Sequence, residues 1–304
     1  MTVAQTVELG LDENQRDAQW RLALRRAASF LLILLLLCGV WEGYKALGQA
    51  TRGKVPFTSL KLPIRPDDKS MPHLWTIGGS LLQPARRGGE DILLVILLKA
   101  ALFTWREAVM GFVGGSVIGF LLGAIFGRFL LFERSLMPYI VASQTVPLLA
   151  IAPMIVIWGG RLNWPAWWSV SIISAYLTFF PVTINTLRGL RSPNLTAVEL
   201  MRSYAASEMQ ILLKLRLPAA LPYIFTALKV SATASVIGAI VGELPSGIQD
   251  GLGRVLLTFS YYYISGPEKL YASIVGAAAL GILFAVIVAL AERWIVPEGR
   301  RLSE

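Results

Sequence analysis

An all-α, polytopic membrane protein with about six transmembrane helices is the fold class that the sequence predicts. Three observations carry that expectation. Of 304 residues, 55% are hydrophobic and only 15% are charged, against roughly 45–50% and about 25% in an ordinary soluble domain. Mean hydropathy is +0.60, which argues against a soluble enzyme and against disorder over most of the chain. Apolar runs of the length a bilayer requires, about 20 residues each, recur between short polar and basic connections.

The elements follow in order. Residues 1–26 are a polar N-terminal tail, with residues 1–20 expected to be disordered or interfacial. Arg21, Arg25 and Arg26 precede the apolar run and hold this end in the cytoplasm. A first span is expected over 27–48. It reads as retained rather than as a cleaved signal peptide, because no A-x-A site follows its apolar core. Pro56, Pro63, Pro66, Pro72 and Pro84 then break any long helix, so 49–107 is predicted as an external segment. Within it, 92–104 is apolar but short for a span, and suits an interfacial or packing helix.

The core is expected over 108–295 and holds five spans. The second, 108–127, carries Gly111, Gly115, Gly119, Gly123 and Gly127 at four-residue intervals. Those glycines share one helix face and predict a groove for close helix packing, with a part in transport motion as the lesser reading. The third, 138–160, should bend at Pro147 and Pro153, with Gln144 in its inner third. The fourth, 164–187, opens on Trp164, Trp167 and Trp168, which suit a membrane interface, and is expected to be interrupted by Pro181. Residues 188–218 are polar and basic and predict one or two short helices outside the bilayer. The fifth span is 219–242, with Lys229 inside it. Residues 243–269 mix Gly, Pro, Asp and aromatics and read as partly re-entrant. The sixth span is 270–291, and 296–304 is a short cytoplasmic tail.

Charge sets the orientation. In an N-in, six-span arrangement, 14 Lys and Arg fall on the inner side and three in the two short outer loops. The long first outer segment carries ten, but long segments follow the charge rule poorly. Both termini and the 188–218 loop are therefore expected in the cytoplasm. The net charge of +9 lies beside apolar runs and speaks for membrane orientation and anionic headgroups, not for nucleic acid.

The chemistry available to the chain is sparse. Cys38, the single cysteine, sits among leucines, so no intrachain disulfide forms and it reads as a small buried hydrophobe. One histidine, His73, and one cysteine cannot make a zinc site of the usual His/Cys type. No G-x-x-x-x-G-K-[ST] loop is present, so any ATP hydrolysis belongs to another chain. The expectation is no catalytic residue, no metal and no cofactor bound here.

The informative stretch is Glu199 to Pro218. Its apolar positions Leu200, Tyr204, Met209, Leu212 and Leu213 recur at helical spacing, so a short amphipathic helix could insert into a groove on a cytoplasmic partner. Lying on the headgroups is the plainer alternative. The stretch resembles the signature loop of permease subunits from binding-protein-dependent ABC importers: E-A-A, three residues, G, nine residues, I-x-L-P. Glu199 takes the first position, Ala205 the glycine position, and Leu215-Arg216-Leu217-Pro218 the close. Leu200, Met201 and Ala205 depart from the pattern, and Ala205 leaves the turn less secure, because alanine tolerates positive φ poorly.

The likeness extends over roughly residues 95–295. Thr145-Val146-Pro147-Leu148 with Trp158-Gly159-Gly160, Leu217 to Pro222 with Ala227-Leu228-Lys229, and Gly242-Glu243 with Gly251-Leu252-Gly253 resemble the branch serving sulfonates, taurine and nitrate. The resemblance implies a type I ABC importer-like permease core in a bacterial plasma (inner) membrane. It implies a second permease copy, two ABC ATPase subunits carrying ATP and Mg, and an external solute-binding protein. Glu199, Ala205, Ala206, Ser207, Met209, Leu212, Leu213 and Pro218 would then couple the chain to the ATPase.

Polar residues in the spans are candidates for a solute path: Gln144, Lys229 and Glu243. Each has a structural alternative. Lys229 could snorkel, Glu243 could be a plain helix-end carboxylate, and Gln144, like Asn185, could bond between helices. Tyr261, Tyr262 and Tyr263 read as interface anchors rather than ligand stackers. A rival class is a stand-alone, ion-coupled secondary transporter. Such folds show internal repeats and intramembrane carboxylates, and the sequence displays no clear repeat and no acidic residue deep within a span. A membrane-embedded enzyme lacks a nucleophile–base pair on the spans.

Overall fold

The structure is a computed structural model that describes residues 3–54, 61–85 and 91–296. The described residues are mostly helical, joined by turns and irregular segments, with two isolated bridges, Lys54 with Lys61 and Pro84 with Ile92. The order is α1 (Val3–Ala50), α2 (Leu74–Ser80), α3 (Leu93–Arg128), α4 (Leu130–Ser143), α5 (Leu148–Arg161), α6 (Ala166–Leu190), α7 (Leu195–Ser203), α8 (Glu208–Ile211), a π turn (Leu212–Arg216), α9 (Leu217–Ser246), α10 (Leu252–Tyr261) and α11 (Pro267–Ile295), with a 3-10 turn at Tyr263–Ser265. Five helical stretches are long and apolar enough to cross a membrane, and α4 with α5 makes a sixth if that bent pair counts as one span. The basic tail expected at 296–304 lies outside the described residues beyond Val296.

The chain forms two compact units, Met1–Gly79 and Ser80–Glu304. In the first, the helix that was expected to begin near residue 27 runs from Val3, and Ala28–Ala50 is its membrane-compatible part. Its far end is clasped by the proline-rich segment. Trp41 Nε1 donates to the Pro72 carbonyl (3.1 Å), Tyr44 Oη to that of Ile64 (3.1 Å), and the fully buried Lys45 Nζ to Asp68 (2.6 Å). Glu42 meets His73 Nδ1 at 2.7 Å and accepts the Leu74 N–H that opens α2. Gly48 leaves the room that Pro66 fills: a Cβ there would lie 2.6 Å from the Pro66 Cβ.

The second unit is built around α6. Helices α3 and α6 run parallel, and α9 runs antiparallel along the other side of α6. Three expectations change here. The 92–104 run is not a separate helix, nor does a span begin at 108: α3 is continuous over 36 residues, about 54 Å at 1.5 Å per residue. The Arg106–Glu107 pair that looked like a boundary contains no helix breaker. Both residues are accommodated, Glu107 by complete burial and Arg106 by stacking 4.5 Å over Trp167. The third span is not one curved helix. It breaks by 97° between α4 and α5, because Pro147 cannot donate and pushes Val146 out of helical conformation. Pro138 and Pro153 sit inside their helices without breaking them. Nor does Pro181 interrupt α6: packing on both sides holds the helix, and Asn185 Nδ2 donates to the Pro181 carbonyl at 2.8 Å.

Helix association in lipid relies on close packing rather than on expulsion of water, and the α3–α6 seam supplies it. Gly111, Gly115, Gly119 and Gly123 are buried against Ser171–Thr186 of α6. A Cβ on Gly115 would lie 2.5 Å from the Ala175 carbonyl oxygen, and one on Gly119 2.5 Å from that of Phe179. Gly127 ends the stripe beside the Leu190 side chain, more loosely. On the other flank, Ser174 Oγ donates to the Ser235 carbonyl (2.8 Å), and Gly238 packs on Ser174.

Candidate functional site

The loop after α6 is a rigid elbow. Pro193 stops the preceding helix, and α7 closes in a Schellman turn: Ala206 N–H donates to the Met201 carbonyl (3.0 Å) and Ala205 N–H to that of Arg202 (2.9 Å). That turn needs a left-handed residue, and Ala205 takes it at φ 55°. Ser207 then caps α8 through a reciprocal box with Gln210: Gln210 N–H donates to Ser207 Oγ (3.3 Å), and Ser207 N–H donates to Gln210 Oε1 (2.8 Å). The π turn follows and resets the ladder ahead of Pro218, which has no N–H to give. From Glu208 to Ser246 the helix is unbroken.

One face of the elbow is locked to the bundle. Val198 and Ile211 are buried. Glu208 receives Arg202 (2.9 Å) and Arg128 from the end of α3 (3.2 Å), and Arg191 forks onto Glu133 of α4. The other face is bare. Tyr204 is 80% exposed and Met209 63% exposed, with Leu195, Leu200 and Leu213 alongside. Glu199 stands exposed on α7, with no ion pair among the described residues. Leu212 departs from the expected outward face: it packs partly against Leu190, Ala220 and Ile224. A cleft of about 260 Å³ lies between α3 and this elbow, lined in part by Gly127, Arg128, Met209 and Leu212. A larger cavity of about 570 Å³ opens between α4, α6 and α9, bordered by Met137, Val141, Ile184, Arg188 and Tyr223.

At the opposite end of α9 lies a buried polar junction. Glu243 is 1% exposed. Its Oε1 accepts the Thr104 hydroxyl (2.6 Å) and its Oε2 the Gly253 N–H (2.5 Å). Thr104 Oγ1 in turn accepts the Leu252 N–H (2.9 Å). A Cβ on Gly253 would lie 2.9 Å from Glu243 Oε2 and 2.5 Å from the Ile240 carbonyl, so glycine is what lets the backbone close on the carboxyl. The Gly242-Glu243 and Gly251-Leu252-Gly253 segments thus form one structure.

The three residues expected on a solute path do not converge. Glu243 is sealed inside this junction. Lys229 pairs with Glu292 of α11 at 3.0 Å, on the side of α9 away from α6. Gln144 caps the end of α4 at the 97° break, beside Tyr176, whose hydroxyl donates to the Ser143 carbonyl. The expectation of no acidic residue deep within a span is overturned by Glu107, which lies inside the long apolar helix α3. Glu107 escaped the sequence reading because the boundary was drawn through it. Its spacing carried the signal: Ala100, Thr104, Glu107 and Gly111 continue the glycine face backwards and are all buried.

Comparison with known proteins agrees with this architecture. A family described as "Binding-protein-dependent transport system inner membrane component" matches residues 115–301. The chain is 33% identical over 210 residues to the formylaminopyrimidine transport permease protein ThiX of Halalkalibacterium halodurans, covering 66% of this chain and 80% of that one. It is 37% identical over 147 residues to a probable ABC transporter permease protein of Haemophilus influenzae, covering 47% and 58% of the two chains. To the putative aliphatic sulfonates transport permease protein SsuC of Bacillus subtilis it is 32% identical over 187 residues, covering 62% and 65%. Among solved structures, it superposes on an amino acid ABC transporter crystallised with histidines at a TM-score of 0.54 and 16% identity, over 66% of this chain and 95% of that one, a likeness of fold. With an all-helical core, a Schellman elbow at Ala205 and a family match over most of its core helices, the chain belongs to the inner-membrane permeases of binding-protein-dependent ABC transport systems.

Proposed function

We propose that this permease imports a small polar solute by alternating access, driven by ATP hydrolysis on partner subunits. It works as a pair of copies, with two ABC ATPases that bind ATP and Mg and an external solute-binding protein. It sits in the plasma (inner) membrane with both termini and the 188–218 elbow in the cytoplasm. The observation that carries the reading is mechanical. The bare face of Tyr204, Met209 and Leu213 belongs to an elbow keyed to α3 and α4 by ion pairs, and the elbow continues without a break into α9. A groove on the ATPase that takes those side chains gains about 1.5–3 kcal/mol for each one fully buried. Movement of the ATPase then acts on a rod of 39 residues, about 58 Å long, that ends at the Glu243 junction. The cavity between α4, α6 and α9 is assigned to the inner part of the solute path. The names of the relatives cover a heterocycle and aliphatic sulfonates, and a small polar solute is the class they share.

The test is Tyr204→Asp with Met209→Asp in the complex reconstituted into vesicles with its ATPase and binding protein. Leu212 is left intact, since it supports the core. Uptake should be lost while the permease remains inserted and folded. Normal uptake in the double variant would overturn the docking role. Uptake by the permease alone, driven by an ion gradient without ATP, would favour the secondary-transporter class instead.

A further inference from the structure

The junction at the far end of α9 brings together two buried glutamates, Glu107 and Glu243. Glu107 is 0% exposed, and among the described residues no N–H or O–H donates to either of its carboxyl oxygens. It lies one helical turn from Thr104, on the same buried face of α3, and the Thr104 hydroxyl reaches Glu243. A carboxyl so buried and without a donor is held as the neutral acid, which can donate to a neighbouring carboxylate. We propose that Glu107 and Glu243 form a buried proton site, in which Glu107 carries the proton and donates it to an ionised Glu243, so that α3, α9 and the 251–253 turn are latched together.

Donor geometry decides which residue carries the proton. Glu243 faces two donors, the Gly253 N–H on Oε2 and the Thr104 hydroxyl on Oε1. The same hydroxyl accepts the Leu252 N–H on one of its two lone pairs, whereas the Gly253 N–H can only donate. That surrounding suits a carboxylate, which only accepts. Glu107 has no donor of its own, so it can satisfy a buried carboxyl only by being the donor. Arg106, adjacent to Glu107 in the chain, turns its guanidinium onto the Trp167 ring. The site stands on this geometry alone and is independent of the transport reading.

Amide substitution separates the two residues, since an amide can donate where the acid donates but cannot supply two acceptor oxygens. The experiment uses the purified ATPase–permease complex in lipid nanodiscs. Infrared spectroscopy at neutral pH should show a protonated carboxylic acid carbonyl band that shifts in D₂O and is lost in Glu107→Gln. Thermal unfolding of Glu107→Gln should stay within about 2 °C of the parent, whereas Glu243→Gln, which turns an NH₂ toward Gly253 N–H or Thr104 O–H, should fall by about 5 °C or more. Absence of a band assignable to Glu107 overturns the proposal. So does an equal loss in both variants, or a dependence of parent stability on Na⁺ or K⁺ that shows a cation in place of the proton.

Discussion

Two adjacent glycines of α3 should respond to the same substitution with opposite signs. Gly115 faces α6. A Cβ there would meet the Ala175 carbonyl oxygen at 2.5 Å, the Thr178 Cβ at 2.7 Å and the Ala175 Cα at 3.0 Å. None of these atoms can rotate away, so α6 must retreat by nearly 1 Å from an ordinary contact distance of about 3.4 Å or more. Because Gly111, Gly119 and Gly123 lie on the same seam, that retreat opens the whole interface, and a gap of 0.5–1 Å forfeits about a quarter to a half of each dispersion contact. Overpacking of this kind costs about 1–3 kcal/mol. The gain in helix propensity from Gly to Ala returns up to about 1 kcal/mol, leaving Gly115→Ala about 1–2 kcal/mol less stable. Gly114 has nothing within 4 Å of its added Cβ, so Gly114→Ala keeps only the propensity gain. The propensity gain is common to both, so the two variants should differ by about 1–3 kcal/mol, or about 2–12 °C in Tm at about 2–4 °C per kcal/mol. Thermal unfolding of the detergent-solubilised permease, followed by tryptophan fluorescence, measures it. Shifts of the same sign in both variants would refute the seam as the determinant of α3–α6 packing.

Two further outcomes follow from the loop and the clasp. Ala205 pays about 1–2 kcal/mol for its left-handed conformation, and glycine would give back about 0.4–1 kcal/mol in unfolded-chain entropy. Ala205→Gly should therefore slow amide hydrogen exchange across 195–216 by about two- to fivefold, and faster exchange would remove the strain argument. Asp68, outside the spans, has its carboxyl held below the usual range by the hydrogen bond from Lys45. A depressed carboxylate stabilises fully above the unfolded aspartate pKa of about 3.9 and loses that benefit as pH falls through the folded value. Acidification from pH 7 to pH 3 should loosen 61–80 from α1 in hydrogen exchange, and Asp68→Asn should flatten much of that response. The remaining slope belongs to Asp67, held down by Ser70, and to Glu42, whose carboxyl meets His73 and accepts the Leu74 N–H. Superimposable pH profiles for the parent and Asp68→Asn would sink the assignment.

What the sequence made legible, and what it hid, divides along physical lines. Local periodicity was readable: glycine every four residues names one helix face whatever lies opposite. Local breakers were readable in kind but not in degree. Pro147 announced a disturbance, yet the same chemistry gave 97° there and no interruption at Pro181, because packing on both flanks of α6 holds the ladder while the α4–α5 corner has no such support. Charges inside apolar sequence were misread, since hydropathy scores Arg106, Glu107, Lys229 and Glu292 as ends or flaws of spans. In the folded chain Lys229 pairs with Glu292 and Arg106 lies over Trp167, and the bonds at the Glu243 junction are as distant in sequence: Thr104 lies 139 residues from Glu243, and Leu252 lies 148 residues from Thr104. In lipid an unpartnered polar group costs several kcal/mol, so a span that retains one must carry its partner elsewhere in the chain. A charge that interrupts a hydropathy plot is therefore better treated as half of a long-range pair than as a boundary. Had Glu107 been treated that way, the search for its other half would have led along the glycine face of α3 to Glu243.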